Sequence, residues 1–361
     1  MCHVLCSSNT ASANRATTFA TEKMSTKSQQ NDVRVSVLIP VFNRRDLVVQ
    51  AIDSALAQDV DGMELVVIDN CSDDGTWELL QSLHHEKLRC LRNNKNLGLF
   101  GNFNRCGDEA KGEYTIFLCS DDRLAPSFLR SAIEQLGKQP RAVLLSSRGV
   151  AIDRFGKQVG KIASRFPPGT YSGRSVPAAW FWANYFYGGN PLNYPSGVVF
   201  RTSALRASLP FRGEVGAPAD IDLYFRVLSH GDLLVSDTIG CHVLHHEEQA
   251  ADKIRRSGEL TRQDLRLLEA FRPNLESVGA YEQVRRQAAY HVLRTLMRVG
   301  RHDLRGAAQL FREFAFSPWQ MIVAGVRLKF LRALESLFGP RPTPHLEALG
   351  ARQTGDIEHT G

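Results

Sequence analysis

Four short apolar runs, each ending in polar residues, constrain this chain more than any other feature. They are Val35 to Ile39, Glu64 to Ile68, Leu88 to Leu91 and Tyr114 to Cys119. Helical patterns separate them. Val48, Ala51, Ile52, Ala55 and Leu56 recur at helical spacing behind Asp46, the predicted N-cap. A second helix is predicted around Trp77, Leu79, Leu80 and Leu83, and a third from Phe103 to Ala110. Strands alternating with helices predict an α/β fold with a mostly parallel sheet flanked by helices. Such sheets bind ligands beyond the carboxyl ends of their strands. Those ends carry Asn43, Asp69, Asn70, Asp121 and Asp122.

The pair Asp121-Asp122 stands out among them. Neighbouring carboxylates repel unless a cation or a set of hydrogen bonds holds them, so a hard divalent ion is one natural partner. A solvated turn feeding a helix started by Pro126 is the other reading of the same residues. No GxGxxG and no GxxxxGK[ST] follows any of the strands, which removes a dinucleotide fingerprint and a P-loop.

Beyond these strands, Val198 to Phe200 is a further short strand, and Leu233 to Val235 another. Trp180, Phe181, Trp182, Tyr185, Phe186 and Tyr187 form an aromatic cluster that suits a core, with a sugar- or lipid-facing wall as the alternative. A helix is predicted from Ala217 to Val227, with Asp220 at its cap or in its first turn. His242, His245 and His246 follow the Leu233 strand. From Glu259 onward the chain reads as helical, with amphipathic stretches at Val284 to Val299, Leu304 to Phe316 and Trp319 to Leu337.

Of the 361 residues, 43% are hydrophobic and 23% charged, as in ordinary globular proteins. The seven cysteines form no CxxC pair, which argues against a disulfide framework or a zinc site and for a reducing, cytoplasmic setting. No apolar run is long enough to cross a bilayer. The first thirty or so residues are rich in Ser, Thr, Asn and Gln without an apolar signal core, so they read as a disordered tail; translation from Met1 or from Met24 fits equally. The net charge of +6 is concentrated late. Between Arg285 and Arg332, ten Arg or Lys face only Asp303 and Glu313.

Taken together, these segments resemble glycosyltransferase family 2, the inverting sugar-nucleotide enzymes of GT-A fold. The resemblance rests on Val35-Ser-Val-Leu-Ile-Pro-Val-Phe-Asn-Arg44, Glu64-Leu-Val-Val-Ile-Asp-Asn-Cys-Ser-Asp-Asp-Gly-Thr76 and Asn96-Leu-Gly-Leu-Phe-Gly-Asn-Phe-Asn104. It continues through Ala110-Lys-Gly-Glu-Tyr114 into Ser120-Asp-Asp122, then Ser196 to Thr202 and Ala219-Asp220. It spans roughly Val33 to His246 and leaves out the helical C-terminal third.

The resemblance implies roles for matching positions. Pro40, Val41 and Asn43 would line the nucleotide-base pocket, and Asp69 would hydrogen-bond the base. Asn104 would join the nucleotide-sugar site. Asp121 would lie nearer the ribose and Asp122 would hold Mg²⁺ or Mn²⁺, with His245 (or His246) beside the metal. Asp220 would be the catalytic base. Ser120 stands where the family has the first acid of its DxD motif, and Ala219 where it has a Glu before the base.

The implied reaction is metal-assisted single displacement of a sugar from a UDP-, GDP- or dTDP-sugar onto a glycan or lipid-linked acceptor, in polysaccharide or glycolipid assembly. Two alternatives remain: an inactive relative acting as a sugar-nucleotide-binding or scaffold subunit, supported by Ala219, and a nucleotidyltransferase, which Pro40 to Arg45 disfavours for lack of glycine. The expected layout is a tail over 1–32 and a GT-A domain over 33–250, divided into a nucleotide half (33–146) and an acceptor half (147–250). A helical region over 251–340 and a flexible end over 341–361 follow. The basic helices carry no nucleic-acid-reading motif. Peripheral attachment to the inner face of the cytoplasmic membrane, a plain helical subdomain and a homodimer contact are the readings left for them.

Overall fold

A computed structural model describes residues 33–162, 164–187, 190–245, 257–301, 303–314, 316–326 and 329. The strand–helix alternation builds as its pattern predicts: β1 (Val35–Val41), α1 (Arg45–Leu56), β2 (Met63–Asp69), α2 (Thr76–Ser82), β3 (Leu88–Arg92), α3 (Gly98–Glu109) and β4 (Tyr114–Phe117). The strands run parallel in the order β3-β2-β1-β4. Val35 pairs with Met63 and Tyr114, so the strand ends align along one edge.

The remaining elements extend this sheet. They are β5 (Arg123–Leu124), α4 (Phe128–Lys138), β6 (Ala142–Ile152), β7 (Gln158–Ile162), β8 (Gly169–Tyr171), α5 (Val176–Tyr187), β9 (Val198–Arg201), α6 (Thr202–Ser208), α7 (Ala219–Leu228) and β10 (Asp232–Leu244). The main path continues β4-β9-β6-β10-β5, with β9 antiparallel to its neighbours and β6 parallel to β10. The result is the mostly parallel, helix-flanked sheet of the GT-A fold.

Alternation along each strand explains why the runs are wholly apolar. Val37 and Ile39 face a core closed by Val48 and Ile52 of α1 and Leu129 and Ile133 of α4. Leu38 faces the opposite core, with Phe103 of α3, Phe117, Phe181 of α5 and Leu223 of α7. A strand buried on both faces needs no polar alternation. Gly112 permits one close crossing: a Cβ there would lie 2.7 Å from the Ser36 nitrogen.

Several boundaries differ from the sequence-based expectation. The N-cap of α1 is Arg44, and Asp46 sits inside the first turn. α3 begins at Gly98 rather than Phe103, and α4 begins two residues after Pro126, behind Ser127 at φ 58°. β4 stops at Phe117 rather than Cys119. That early end suits Pro40, because Leu38 bonds the β4 side (Leu118 N–H to Leu38 C=O, 2.9 Å) while Val41 bonds the β2 side (Asn70 N–H to Val41 C=O, 2.8 Å). Pro40 therefore lacks an N–H only where the neighbouring strand has ended. β10 runs from Asp232 to Leu244, with register shifts around Ile239, so His242 lies within the strand rather than after it.

The aromatic cluster is core. Trp180, Phe181, Trp182 and Tyr185 are all at most 5% exposed; the side chains of Phe186 and Tyr187 lie outside the described residues. Helices α8 (Glu259–Ala270), α9 (Arg272–Ser277), α10 (Tyr281–Gly300) and α11 (Leu304–Glu313) follow, then a helical stretch over 318–326. Leu267, Leu275, Val284 and Ala288 join the same buried cluster as Phe117 and Phe200. Among the described residues, no helix is long and apolar enough to cross a membrane.

Candidate active site

The loops after β1 and β2 are locked together. Asn43, at φ 50°, donates from Nδ2 to Asp73 Oδ1 (2.8 Å) and accepts from the Asp73 N–H (3.1 Å). Its own N–H donates to Ser72 Oγ (2.9 Å). Asn tolerates the left-handed backbone here, and its amide matches both partners.

Behind this bridge, Asp69 is fully buried at the end of β2. It accepts the Ser72 N–H and pairs with Arg92 Nε at 3.1 Å. The β2–β3 register sets Arg92 directly opposite Asp69, and the guanidinium also covers the Trp77 ring at 5.5 Å. Arg92 escaped the sequence reading; its one signal was a cation at the end of the third strand.

Four asparagines complete this edge. Asn70 donates to Asn96 Oδ1 (2.8 Å) and to Gly98 C=O (3.2 Å), and accepts from Asn93 Nδ2 (3.0 Å). Asn93 also donates to Asn102 Oδ1 (2.9 Å), and Asn102 Nδ2 donates to Ile68 C=O (3.0 Å). The start of α3 is thereby pinned to the ends of β1, β2 and β3. Asn104, one turn along α3, exchanges hydrogen bonds with the backbone of Phe211, giving to its C=O (3.1 Å) and taking from its N–H (2.6 Å). Both ends of that amide are used in holding the segment before α7.

The acid pair follows β4. Asp122 is 4% exposed. One oxygen accepts from Ser196 Oγ (2.5 Å), in the 3₁₀ turn before β9, and the other from the Leu244 N–H (3.1 Å) at the end of β10. Burial, and next the charge of Asp121, push its pKa up to about 7 against these donors. Asp121 is the more accessible of the two. His245, next after Leu244, donates its N–H to Ile152 C=O (2.8 Å), with the side chain exposed. His246 lies outside the described residues. Among the described residues, no three His, Cys, Asp or Glu side chains gather as a metal cage.

Asp220 lies half-buried in the first turn of α7, where Oδ1 accepts the Ile221 N–H at 2.8 Å. Burial pushes its pKa up to about 6, opposed by that backbone donor. One turn on, the buried Tyr224 hydroxyl is pushed well above the usual phenol range, by burial first and then by the charges of Asp220, Cys119 and Cys241. Cys119 in turn feels Asp122 and Asp121. Tyr224 thus feels Asp220 directly, and the acid pair acts on Cys119.

A second carboxylate on α7 does structural duty. Asp222 is fully buried and accepts Arg212 Nε at 2.9 Å and Arg226 Nε at 3.0 Å. Arg226 also donates to Pro210 C=O (2.9 Å). The segment before α7 is tied to the helix that carries Asp220. Ala219 is fully buried beside it.

Comparison with known proteins points the same way as this geometry. The family description "Glycosyl transferase family 2" matches residues 36–207. That segment, just under half of the chain, is similar to glycosyl transferase family 2.

Two curated relatives carry glycosyltransferase names. The Escherichia coli UDP-Glc:alpha-D-GlcNAc-diphosphoundecaprenol beta-1,3-glucosyltransferase WfaP is 34% identical over 88 residues, 24% of this chain and 35% of its own length. The Bacillus subtilis putative teichuronic acid biosynthesis glycosyltransferase TuaG is 30% identical over 129 residues, 34% of this chain and 51% of its own length. The chain therefore spans about a third and about half of these two relatives. The crystal structure of S. aureus TarS 1-349 in complex with UDP-GlcNAc aligns at TM-score 0.50 and 18% identity, covering 83% of this chain and 92% of that one. That likeness carries the fold.

Proposed function

We propose that the chain transfers a sugar from a nucleotide-diphosphate donor to a hydroxyl acceptor by single displacement with inversion, in polysaccharide or glycolipid assembly. One observation carries this reading: Asp122, buried after β4 between Ser196 and the end of β10, is raised to about 7, and Asp220, in the first turn of α7, is raised to about 6. Asp220 takes the acceptor hydroxyl proton. A base with pKa about 6 stays ionised at neutral pH yet is stronger than an ordinary aspartate.

In this reading Pro40, Val41 and Asn43 line the base pocket over residues 33–146, and Asp69, held by Arg92, presents the polar edge for the base. Asn104 acts through the Phe211 segment, and Asp121 meets the ribose. The region 147–250 supplies Asp220 and the acceptor side.

Mg²⁺ or Mn²⁺ fits the acid pair. The donors are hard oxygens, and a carboxylate held near 7 by burial and a like charge is relieved by a divalent cation. Asp122, with Asp121 and His245 beside it, would hold the ion, which when bound supplies Lewis-acid neutralisation of the departing diphosphate.

WfaP's name supports a UDP-sugar first among UDP-, GDP- and dTDP-sugars, and a lipid-diphosphate acceptor. Work at the inner membrane face belongs to the same proposal. Calorimetric binding of the three donor classes, with and without Mn²⁺, tests it on wild type and Asp122→Ala. We expect one class to bind, with Mn²⁺ tightening it in wild type and not in the variant. If no donor binds under any condition, the transferase reading fails and the scaffold reading supported by Ala219 takes its place.

A further inference from the structure

The helical stretch over 318–326 is apolar on both sides. Met321 packs inward at 3% exposure, Ala324 lies against the small C-terminal core, and a Cβ on Gly325 would meet Leu293 Cδ2 at 3.3 Å. Trp319, Ile322, Val323 and Val326 recur at i, i+3, i+4 and i+7, which sets them along one face. That face is open to solvent, at 72%, 50%, 46% and 65% exposure. Isolated exposed apolar residues mean little, but a contiguous stripe marks an interaction surface.

The surroundings identify what covers it. Met297, Leu304 and Phe311 are exposed on α10 and α11, as are Arg301, Arg305 and Arg312, and Lys329 is exposed beyond the stretch. The segment 285–332 holds ten basic residues against Asp303 and Glu313. A second copy is a poor occupant, because a two-fold contact sets a patch against itself and would bring these like charges together. Nucleic acid would answer the charge but leave the aliphatic stripe wet.

We propose that this face docks on an anionic lipid bilayer, the Trp319–Val326 stripe in the acyl boundary and the exposed arginines of the helices it packs on at headgroup phosphates. The inference rests on the reading above only for placing the chain at a membrane; the stripe and its charges are independent of the transfer chemistry.

Cosedimentation of the full chain with vesicles tests it. One set is phosphatidylcholine alone and the other contains phosphatidylglycerol; the variants are Trp319→Ser/Ile322→Ser and, as control, Phe155→Ser, a residue 79% exposed between β6 and β7. We expect salt-sensitive binding to phosphatidylglycerol vesicles, a blue shift of Trp319 emission that Trp319→Phe abolishes, at least about tenfold weaker binding in the double variant, and no change in the control. Far-ultraviolet circular dichroism on the same samples shows that each variant is folded, and nucleotide-sugar binding is measured beside it. Loss of donor binding with vesicle binding intact would count against the transferase reading alone. No binding to phosphatidylglycerol vesicles, or equal binding by the double variant, overturns the inference. So does Trp319 emission already shielded from acrylamide without lipid, or a dimer that the double variant dissolves.

Discussion

Asp220 combines two tendencies that pull against each other. Burial that strengthens it as a base also makes its ionised form costly in the folded chain. Its folded pKa, about 6, lies above the ordinary 3.8, so the unfolded chain releases its proton first as pH rises. Stability from this group is fully present below about pH 4 and is lost as pH climbs through about 6, to a total of about 3 kcal/mol. Asp220→Asn removes that loss. We expect the variant to melt higher than wild type above about pH 6, with the gap closing toward pH 4, while transfer falls about 10²- to 10⁴-fold. In wild type, transfer should rise with pH and level off above about 6. Equal melting temperatures across that range would remove burial as the cause of the shift. The carboxylates themselves were legible in the sequence, since strand ends and a helix start can be read from pattern. Their electrostatic state was not, because it depends on Ser196 and Leu244, 74 and 122 positions from Asp122 in the chain.

At the scale of elements, α7 and the segment before it form one unit through Asp222. Arg212 and Arg226 converge on a carboxylate with no exposure, so removing it strands two cations, one of them only 21% exposed. Breaking a buried pair in this way costs about 3–5 kcal/mol. We expect Asp222→Ala to lose stability on that scale in urea unfolding, and to lower kcat with Asp220 still present. A loss below about 0.5 kcal/mol would show a solvent-screened pair instead. α7 was predicted from spacing, and Arg226 with it. Arg212 was not, because its partnership arises where the loop folds back. β10 shows the complementary failure: only Leu233 to Val235 was read as strand, since the irregular register around Ile239 breaks the period that sequence reasoning needs.

Across the whole molecule, the C-terminal helices share the core rather than sitting beside it. Asp264 of α8 accepts from Asn184 of α5 (3.4 Å), pairs with His291 of α10 (3.4 Å), and its backbone carbonyl accepts the Tyr185 hydroxyl (3.3 Å). Asp264→Ala leaves Asn184 and His291 without this partner, and we expect a loss of about 1–3 kcal/mol in a single cooperative transition. A separate early transition would mean that the helices unfold on their own. The strand–helix alternation and the polar residues at strand ends were determined by the sequence alone, because period and local composition act over a few residues. The same local information carried the family resemblance across 33–246. Only the tertiary structure decided the Asp69–Arg92 pair, the asparagine ties, the burial of Trp180 and its neighbours, and which face of 318–326 stays open. Each depends on registers and packing between segments distant in the chain, where burial and charge are set by neighbours that no local pattern names.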